Sequence, residues 1–180
     1  MSKQTTWTID PSHTIVEFGI RHLMITTVKG RFGGVEGTIK GNPDDWTDAE
    51  VEVKIDAASV DTRNEDRDNH LRSADFFEVE KYPHLTYKST KVTKTGENSY
   101  TIEGELTIRD VTKPVTLEAE YLGKAVDPWG NEKIGFSAKA KVNRKDFGLT
   151  WNAPLEAGGF LVGDEVTIEL EVQAAKAAEA

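Results

Sequence analysis

Apolar and polar residues alternate with a period of two over most of this chain, and a single charged segment interrupts that alternation. Successive side chains on a β-strand point to opposite faces, so this period is typical of strands with one buried face. Turn-forming sequences such as Asp-Pro-Trp-Gly at 127–130 separate the alternating stretches. The pattern predicts eight sequential antiparallel strands, within residues 14–21, 28–40, 50–56, 85–92, 102–108, 115–121, 134–142 and 166–174.

The interruption, residues 60–77, is predicted to contain a short helix at about residues 63–73. Thr62 and Glu65 have the spacing of a capping box, in which each side chain bonds the backbone of the other residue. Two further pairs lie four residues apart on one helix face, Asp66 with His70 and Asp68 with Arg72. A mostly polar helix inserted once into an all-β chain predicts a lid or plug over one end of a closed sheet. Such a geometry favours a small molecule held inside.

Length, composition and charge limit the classes to which the chain can belong. Its 180 residues and 37% apolar content fit one globular domain, with residues 1–174 as the barrel and 175–180 as a disordered tail. The formal charge of −9 argues against a nucleic-acid partner, because a phosphate backbone requires a basic face. The absence of cysteine excludes disulfides and a thiolate nucleophile.

Two features of the sequence bear on location. It contains no run of about 18 apolar residues, so we expect no membrane-spanning helix. The N-terminal sequence MSKQTTWTID lacks both an apolar segment and a small-residue cleavage site. We therefore expect an unexported, cytoplasmic protein.

One-sided strands of this number form a barrel or a sandwich, and the inward faces bear on whether the interior is filled. Several residues on the predicted inward faces are small: Gly104, Ala119, Ala138, Ala140 and Ala174. Small residues either offset large neighbours such as Phe136 and Tyr121, or leave room for a guest. Eight-stranded barrels have the size at which both outcomes occur. The residues alone do not decide between a filled core and a cavity.

Several stretches of the chain, in this order, resemble the YceI family of lipocalin-like lipid-binding proteins. They are WTIDPSHTIVEFGIRHLMITTVKGRF at 7–32, DNHLRSADFFEVEKYP at 68–83, GELTIRDVTKPVTL at 104–117 and RKDFGLTWN at 144–152. Each stretch alone is weak, but together and at these spacings they are specific and cover nearly the whole chain. The resemblance implies an all-β fold: a single extended antiparallel eight-stranded lipocalin-like barrel with the short helix inserted between strands.

The resemblance also implies a function. Members of the family have a long apolar tunnel and are associated with binding polyisoprenoids, such as polyprenyl phosphates or quinone tails, and other long-chain lipids. We therefore expect a non-catalytic protein that binds and sequesters or transports an isoprenoid or similar lipid. Many relatives carry a secretion signal and work in the periplasm, and that role is not carried over to this chain.

The candidate ligand-binding residues follow from the inward strand positions and from the stretches that carry the resemblance. An apolar chain requires an aliphatic and aromatic wall, with a few polar groups at the mouth to orient a head group. The candidates for the wall are Val16, Phe18, Ile20, Phe32, Val53, Phe77, Leu106, Phe136, Ala138, Ala140 and Trp151. For each of them, plain core packing is the alternative.

The candidates for polar anchoring are His22, Asn69, His70 and Arg144. His22 continues the inward positions of the first strand, although a lone histidine on an apolar face is often a hydrogen-bonded structural residue. His70 lies on the helix, where it contacts a guest or fastens the helix to the rim. Arg144 can meet a phosphate head group through charge-assisted hydrogen bonds, or pair with an acid such as Asp146.

Two other classes of function compete with lipid binding. An enzyme acting on a hydrophobic small molecule is disfavoured, because the four histidines show neither HxH nor HExxH spacing and no nucleophile elbow is present. We expect no metal and no cofactor. A protein-interaction or stress-related structural barrel with a filled lumen is the main alternative, and a homodimer formed through a barrel face or edge is possible.

Overall fold

The computed structural model describes residues 5–23, 25–149, 152 and 162–177. The strands in these residues are β1 (Thr5–Ile9), β2 (Ile15–His22), β3 (Thr26–Phe32), β4 (Val35–Asn42), β5 (Asp45–Asp56), β6 (Val60–Asp61), β7 (His84–Lys94), β8 (Ser99–Ile108), β9 (Val111–Val126), β10 (Glu132–Asn143) and β11 (Val162–Lys176). The helix α1 (Glu65–Arg72) follows β6, and 3-10 turns form at Pro11–His13, Ala57–Ser59 and Arg144–Phe147.

The strands form one antiparallel sheet that closes on itself. Its order is β1-β4-β5-β7-β8-β9-β10-β11, and β1 pairs again with β11. The segments β2, β3 and β6 continue β1, β4 and β5 beyond short breaks, because β2 also pairs with β11, β3 with β2, and β6 with β3. The prediction of an eight-stranded antiparallel barrel with one short helix is therefore confirmed.

The connections give the barrel two different ends. One end carries the hairpin turns after β4, β7 and β9, and we call it the closed end. We call the mouth end the opposite one, which carries the β2–β3 turn, helix α1 and the Arg144–Phe147 turn after β10. No helix in the described ranges is long and apolar enough to cross a bilayer.

The interior is close-packed around large side chains, and some small inward residues accommodate them. A Cβ atom built on Gly104 would lie 2.5 Å from the ring of Tyr87 and 2.7 Å from the Lys88 carbonyl oxygen. The Tyr87 hydroxyl donates a 2.9 Å hydrogen bond to the Val115 carbonyl, and burial raises the pKa of this phenol. Gly104 therefore serves the packing of a neighbour and leaves no space for a guest.

Helix α1 is held to the barrel by one buried carboxylate. The Asp68 carboxylate accepts hydrogen bonds from the backbone N–H of Thr62 at 2.9 Å and from the Thr62 hydroxyl. Arg67 adds a 2.7 Å bond from its Nη2 to the Thr62 carbonyl. Both Asp68 and Thr62 are buried, so these bonds fix the start of the helix against β6.

The details predicted for the helix were wrong in two respects. Its N-cap is Asn64, whose side chain accepts from the backbone N–H of Arg67, so Thr62 and Glu65 form no capping box. The predicted pair partners also differ: His70 lies 2.9 Å from Asp75, and Arg72 donates to the carbonyls of Ala58 and Val60. Tertiary partners at the rim outcompete the weak pairs along an exposed helix face.

Two local boundaries also differ from the sequence prediction. Strand β5 begins at Asp45 and not at residue 50, and residues 42–46 form a tight β4–β5 hairpin in which Asn42 pairs with Asp45. Strand β11 extends to Lys176, which pairs with Trp7, so residues 175 and 176 belong to the barrel and not to a tail.

Replacing Gly104 by Ala should lower the free energy of unfolding by about 1–3 kcal/mol, because the added methyl overlaps Tyr87. Gly135→Ala is the matched control on β10, where the nearest atom to a built Cβ is 3.7 Å away. Urea denaturation of both variants measures the difference. Equal midpoints for the two would show that Gly104 is not required for packing.

Replacing Asp68 by Ala should destabilise the helix end by about 1–3 kcal/mol, because it leaves the buried donors of Thr62 unpaired. Amide hydrogen exchange should accelerate in Glu65–Arg72 more than in β8. Asp66→Ala, at an exposed position of the same helix, is the control. Unchanged exchange in the Asp68 variant would contradict the fastening role.

Candidate functional site

The barrel encloses an apolar cavity of about 230 Å³ that extends between its two ends. Its wall is built from the inward side chains of the strands and from the segment after α1. The lining residues are Ile9, Thr14, Val16, Phe18, Ile20, Phe32, Val35, Ile39, Trp46, Ala49, Val51, Val53, Ile55, Leu71, Phe76, Phe77, Leu85, Tyr87, Val92, Tyr100, Ile102, Leu106, Ile108, Val115, Leu117, Ala119, Phe136, Ala138, Val142, Arg144, Phe147, Leu149, Val166, Ile168, Leu170 and Val172. Of these, only Thr14, Tyr87, Tyr100 and Arg144 carry polar side-chain atoms, apart from the indole of Trp46.

The size and polarity of this cavity determine what it can hold. Water requires two to four polar partners, and engineered apolar cavities of roughly 150 Å³ stay dry and take up small hydrocarbons. A cavity of about 230 Å³ with this wall is therefore suited to apolar matter. It is smaller than the clefts of about 300–1,000 Å³ that hold drug-sized ligands, so a long chain would have to displace wall side chains.

An aromatic cluster fills the closed end. Trp46 lies on β5, and its ring centroid is 5.1 Å from that of Phe136 and 5.5 Å from that of Tyr121, on the opposite side of the barrel. The indole therefore extends across the lumen. Trp7 packs edge-on against it at 6.4 Å, and both tryptophans are only 2% exposed. The cluster blocks access from this end.

The mouth end is covered by the residues around helix α1. Leu71, Phe76 and Phe77 line the cavity there, and the Phe77 ring centroid is 5.7 Å from that of Phe32. The inward residues Ile20 and Val166 near this end are only half-buried. Solvent therefore reaches the wall at the mouth end, and a guest would pass here.

Arg144 provides the cationic group of the cavity wall. It is 3% exposed, and its guanidinium donates to the carbonyls of Leu149 at 2.6 Å, Gly163 at 2.8 Å and Val162 at 3.4 Å. Asp164 lies 3.8 Å away, and burial lowers the pKa of Arg144 while this carboxylate raises it. The guanidinium thus organises the rim through its carbonyl bonds, and the part of Arg144 that lines the cavity presents no polar surface to it.

Ten of the residues predicted for the site line the cavity. They are Val16, Phe18, Ile20, Phe32, Val53, Phe77, Leu106, Phe136, Ala138 and Arg144. Arg144 does not pair with Asp146, the acid considered from sequence; its carboxylate neighbour is Asp164. Ala138 adjoins Ala119 and Leu170 on the neighbouring strands, and all three line the cavity.

Four other predicted site residues do not line the cavity. Ala140 is buried within the core, and His22 lies half-buried at the end of β2. Asn69 is exposed and accepts a 3.0 Å hydrogen bond from Arg72. His70 contacts Asp75 and the ring of Phe76, so its contacts fasten the rim. Trp151 lies outside the described residues.

The sequence interpretation missed Trp46, which closes one end of the cavity. The pairing of β4 with β5 shifts between Lys40 and Asn42, so Trp46 points inward although it is out of phase with Ala49 and Val51. A β-bulge breaks the period of two, and alternation read from the sequence cannot follow it. The two-residue turn sequence Pro43-Asp44 was the available signal for a hairpin.

The described residues contain no group of three or more histidine, aspartate or glutamate side chains that could hold a metal ion. Among the cavity-lining side chains, the Tyr87 hydroxyl is already engaged with the Val115 carbonyl. The arrangement of this wall is therefore suited to the retention of an apolar molecule, and its polar groups do not converge on one point.

Comparison with known proteins identifies relatives of the chain. The YceI-like domain family matches residues 7–174. The protein YceI of Escherichia coli is 44% identical over 137 residues, which cover 76% of this chain and 71% of that protein. The crystal structure of the Campylobacter jejuni YCEI protein has 36% identity, a TM-score of 0.75 and coverage of 88% of this chain and 90% of that chain.

A more distant likeness shows the fold alone. The structure of a polyisoprenoid binding domain from Saccharophagus degradans, implicated in plant cell wall breakdown, has a TM-score of 0.71 at 15% identity. The match covers 96% of this chain and 99% of that chain. With the family match across nearly the whole barrel and the relatives above 30% identity, the chain belongs to the YceI-like domain family.

Proposed function

We propose that the protein binds an isoprenoid or another long-chain lipid in its lumen and acts without catalysis. The observation that carries this proposal is the apolar cavity that extends from the aromatic cluster to the mouth end. Membership of the YceI-like family supports it, as does the fold shared with the domain from Saccharophagus degradans that is named for polyisoprenoid binding. Sequestration or transport of the bound lipid would follow.

The affinity would come from apolar surface removed from water. Each square ångström of apolar surface buried contributes about 25 cal/mol, so a long hydrocarbon gains enough to offset the cost of association. The present cavity of about 230 Å³ would have to widen for such a chain. We propose that half-buried wall residues such as Phe18 and Phe77, whose rings pack on Phe32, would rotate to make this room.

The polar head of the lipid would lie at the mouth end, because the closed end is blocked by Trp46 and its partners. Arg144 is the cation of the lining and would attract a phosphate or the carbonyl of a quinone. Its guanidinium already donates to the carbonyls of Leu149 and Gly163, so a head group would share these donors. We therefore propose electrostatic attraction at the rim, with most of the affinity coming from the tail.

The interaction alternative requires a filled lumen, and the cavity does not favour it. The identity of the lipid, location in the cytoplasm and a homodimer remain predictions. They do not affect how the lumen would hold its guest.

Replacing Ala138 by Phe should abolish lipid uptake and leave the protein folded, because the ring would enter the lumen beside Leu170. Binding of a polyprenyl phosphate and of a long-tailed quinone can be measured by native mass spectrometry. The control is Lys139→Phe, whose side chain lies on the outer face of the same strand.

The expected result is uptake at least tenfold weaker in the Ala138 variant, as about 1.4 kcal/mol of lost binding energy would produce, and unchanged uptake in the Lys139 variant. Near-ultraviolet circular dichroism checks that both are folded. Undiminished uptake by a well-folded Ala138 variant would contradict binding in this part of the lumen.

A further inference from the structure

The turn between β2 and β3, at the mouth end, exposes large apolar side chains to solvent. Leu23 is 38% exposed and Ile25 is 72% exposed. The turn is closed by a 3.2 Å hydrogen bond from the Ile25 N–H to the His22 carbonyl. Ile25 gains little from folding, because most of its side chain stays in water.

The backbone at this turn gives a second, independent observation. Leu23 has a φ of 53°, in the left-handed region that favours glycine and asparagine. A leucine there costs local stability, which an asparagine would recover. By contrast, the β9–β10 turn at the closed end has Gly130 at its position of positive φ, 85°, and Asp127 accepts hydrogen bonds from its backbone. The β2–β3 turn therefore exposes an apolar residue at a cost in folding stability.

The charge around the turn is also unlike that of the rest of the chain. Between Glu17 and Glu36 the hairpin carries Arg21, Lys29 and Arg31 and no carboxylate, whereas the whole chain has a formal charge of −9. The combination of a basic hairpin and an apolar tip is typical of elements that bind at the surface of a bilayer.

The elements that flank the hairpin contribute carboxylates. Asp61 pairs with Arg31 across the β3–β6 ladder, and Glu165 on β11 lies beside the hairpin. The three hairpin turns of the closed end carry Asp44, Glu97 and Asp127, and Lys94, Lys124 and Lys133 lie on the strands beside two of these turns. Helix α1, at the same end, carries Glu65, Asp66 and Asp68, so the attraction to an anionic surface belongs to the β2–β3 hairpin and not to the whole mouth end.

The turn lies directly beside the mouth of the cavity. His22 pairs with Val162 on β11, and the carbonyl of Val162 accepts a hydrogen bond from Arg144 in the cavity wall. Insertion of the turn into a surface would therefore place the opening of the lumen against that same surface.

We propose that the β2–β3 turn is a membrane-docking element, which inserts Leu23 and Ile25 into the interface of a phospholipid bilayer. The basic hairpin strengthens the contact with anionic head groups. The role of this docking rests on the proposed lipid-binding function. Docking brings the mouth end to the bilayer, so that a lipid tail passes between bilayer and lumen without crossing water.

The test is flotation of lipid-free protein with vesicles of phosphatidylcholine and phosphatidylglycerol, with and without the double change Leu23→Asn and Ile25→Thr. Vesicle binding should weaken about tenfold or more, because two apolar side chains no longer insert. The thermal midpoint should stay equal or rise, because asparagine suits the positive φ of position 23. Loss of binding could then not be assigned to unfolding.

The matched control alters the closed end, where Trp129 is 83% and Val126 is 63% exposed. The change Val126→Thr with Trp129→Asn should leave vesicle binding unaltered. Undiminished binding by the Leu23/Ile25 variant, a loss confined to the Trp129 variant, or association of the wild type with itself but not with vesicles would each overturn the proposal.

Uptake assays separate this proposal from the lumen-binding function. The Leu23/Ile25 variant should still take up a quinone added from detergent but extract little from vesicles. The Ala138→Phe variant should dock normally and take up nothing. A docking-deficient variant that extracts lipid from vesicles as well as the wild type would contradict a role for docking in transfer.

Discussion

The pairing of β1 with β11 is the contact on which the rest of the molecule depends. Trp7 pairs with Lys176 and Ile9 with Ala174, and this ladder joins the first and last strands of the sheet. Closure leaves no free edge in the ring and turns one face of every strand toward a common interior. The apolar face of each strand thereby becomes part of one lumen, whose contents are set by the inward side chains.

The two ends of that lumen are built differently, and this asymmetry gives the site its direction. Trp46 extends across the lumen to Phe136 and Tyr121 and seals one end. The other end is covered by a short helix that polar bonds of Asp68, Arg67 and Arg72 attach to residues 58–62. Leu71, Phe76 and Phe77 also line the cavity there. Wall residues near the mouth end are half-buried, so we propose that a guest exchanges through this end.

The sequence predicted the barrel and much of the cavity wall because both depend on strand alternation, a property read from neighbouring residues. It missed Trp46, whose inward orientation depends on a shift in pairing between β4 and β5. It also gave Thr62 a local partner, whereas the structure pairs it with Asp68 across the start of the helix. Bulges and the choice between competing polar partners depend on the assembled fold, and local pattern does not encode them.

Native mass spectrometry of protein purified from its own host, followed by solvent extraction, tests directly whether the lumen carries a lipid. We expect a stoichiometric mass increment that extracts as a prenyl lipid or another long-chain lipid. Protein that is purified without a bound lipid, and that takes up no added polyprenyl phosphate, quinone or fatty acid, would contradict binding in the lumen. An interaction role for a barrel with an unused cavity would then be the leading hypothesis.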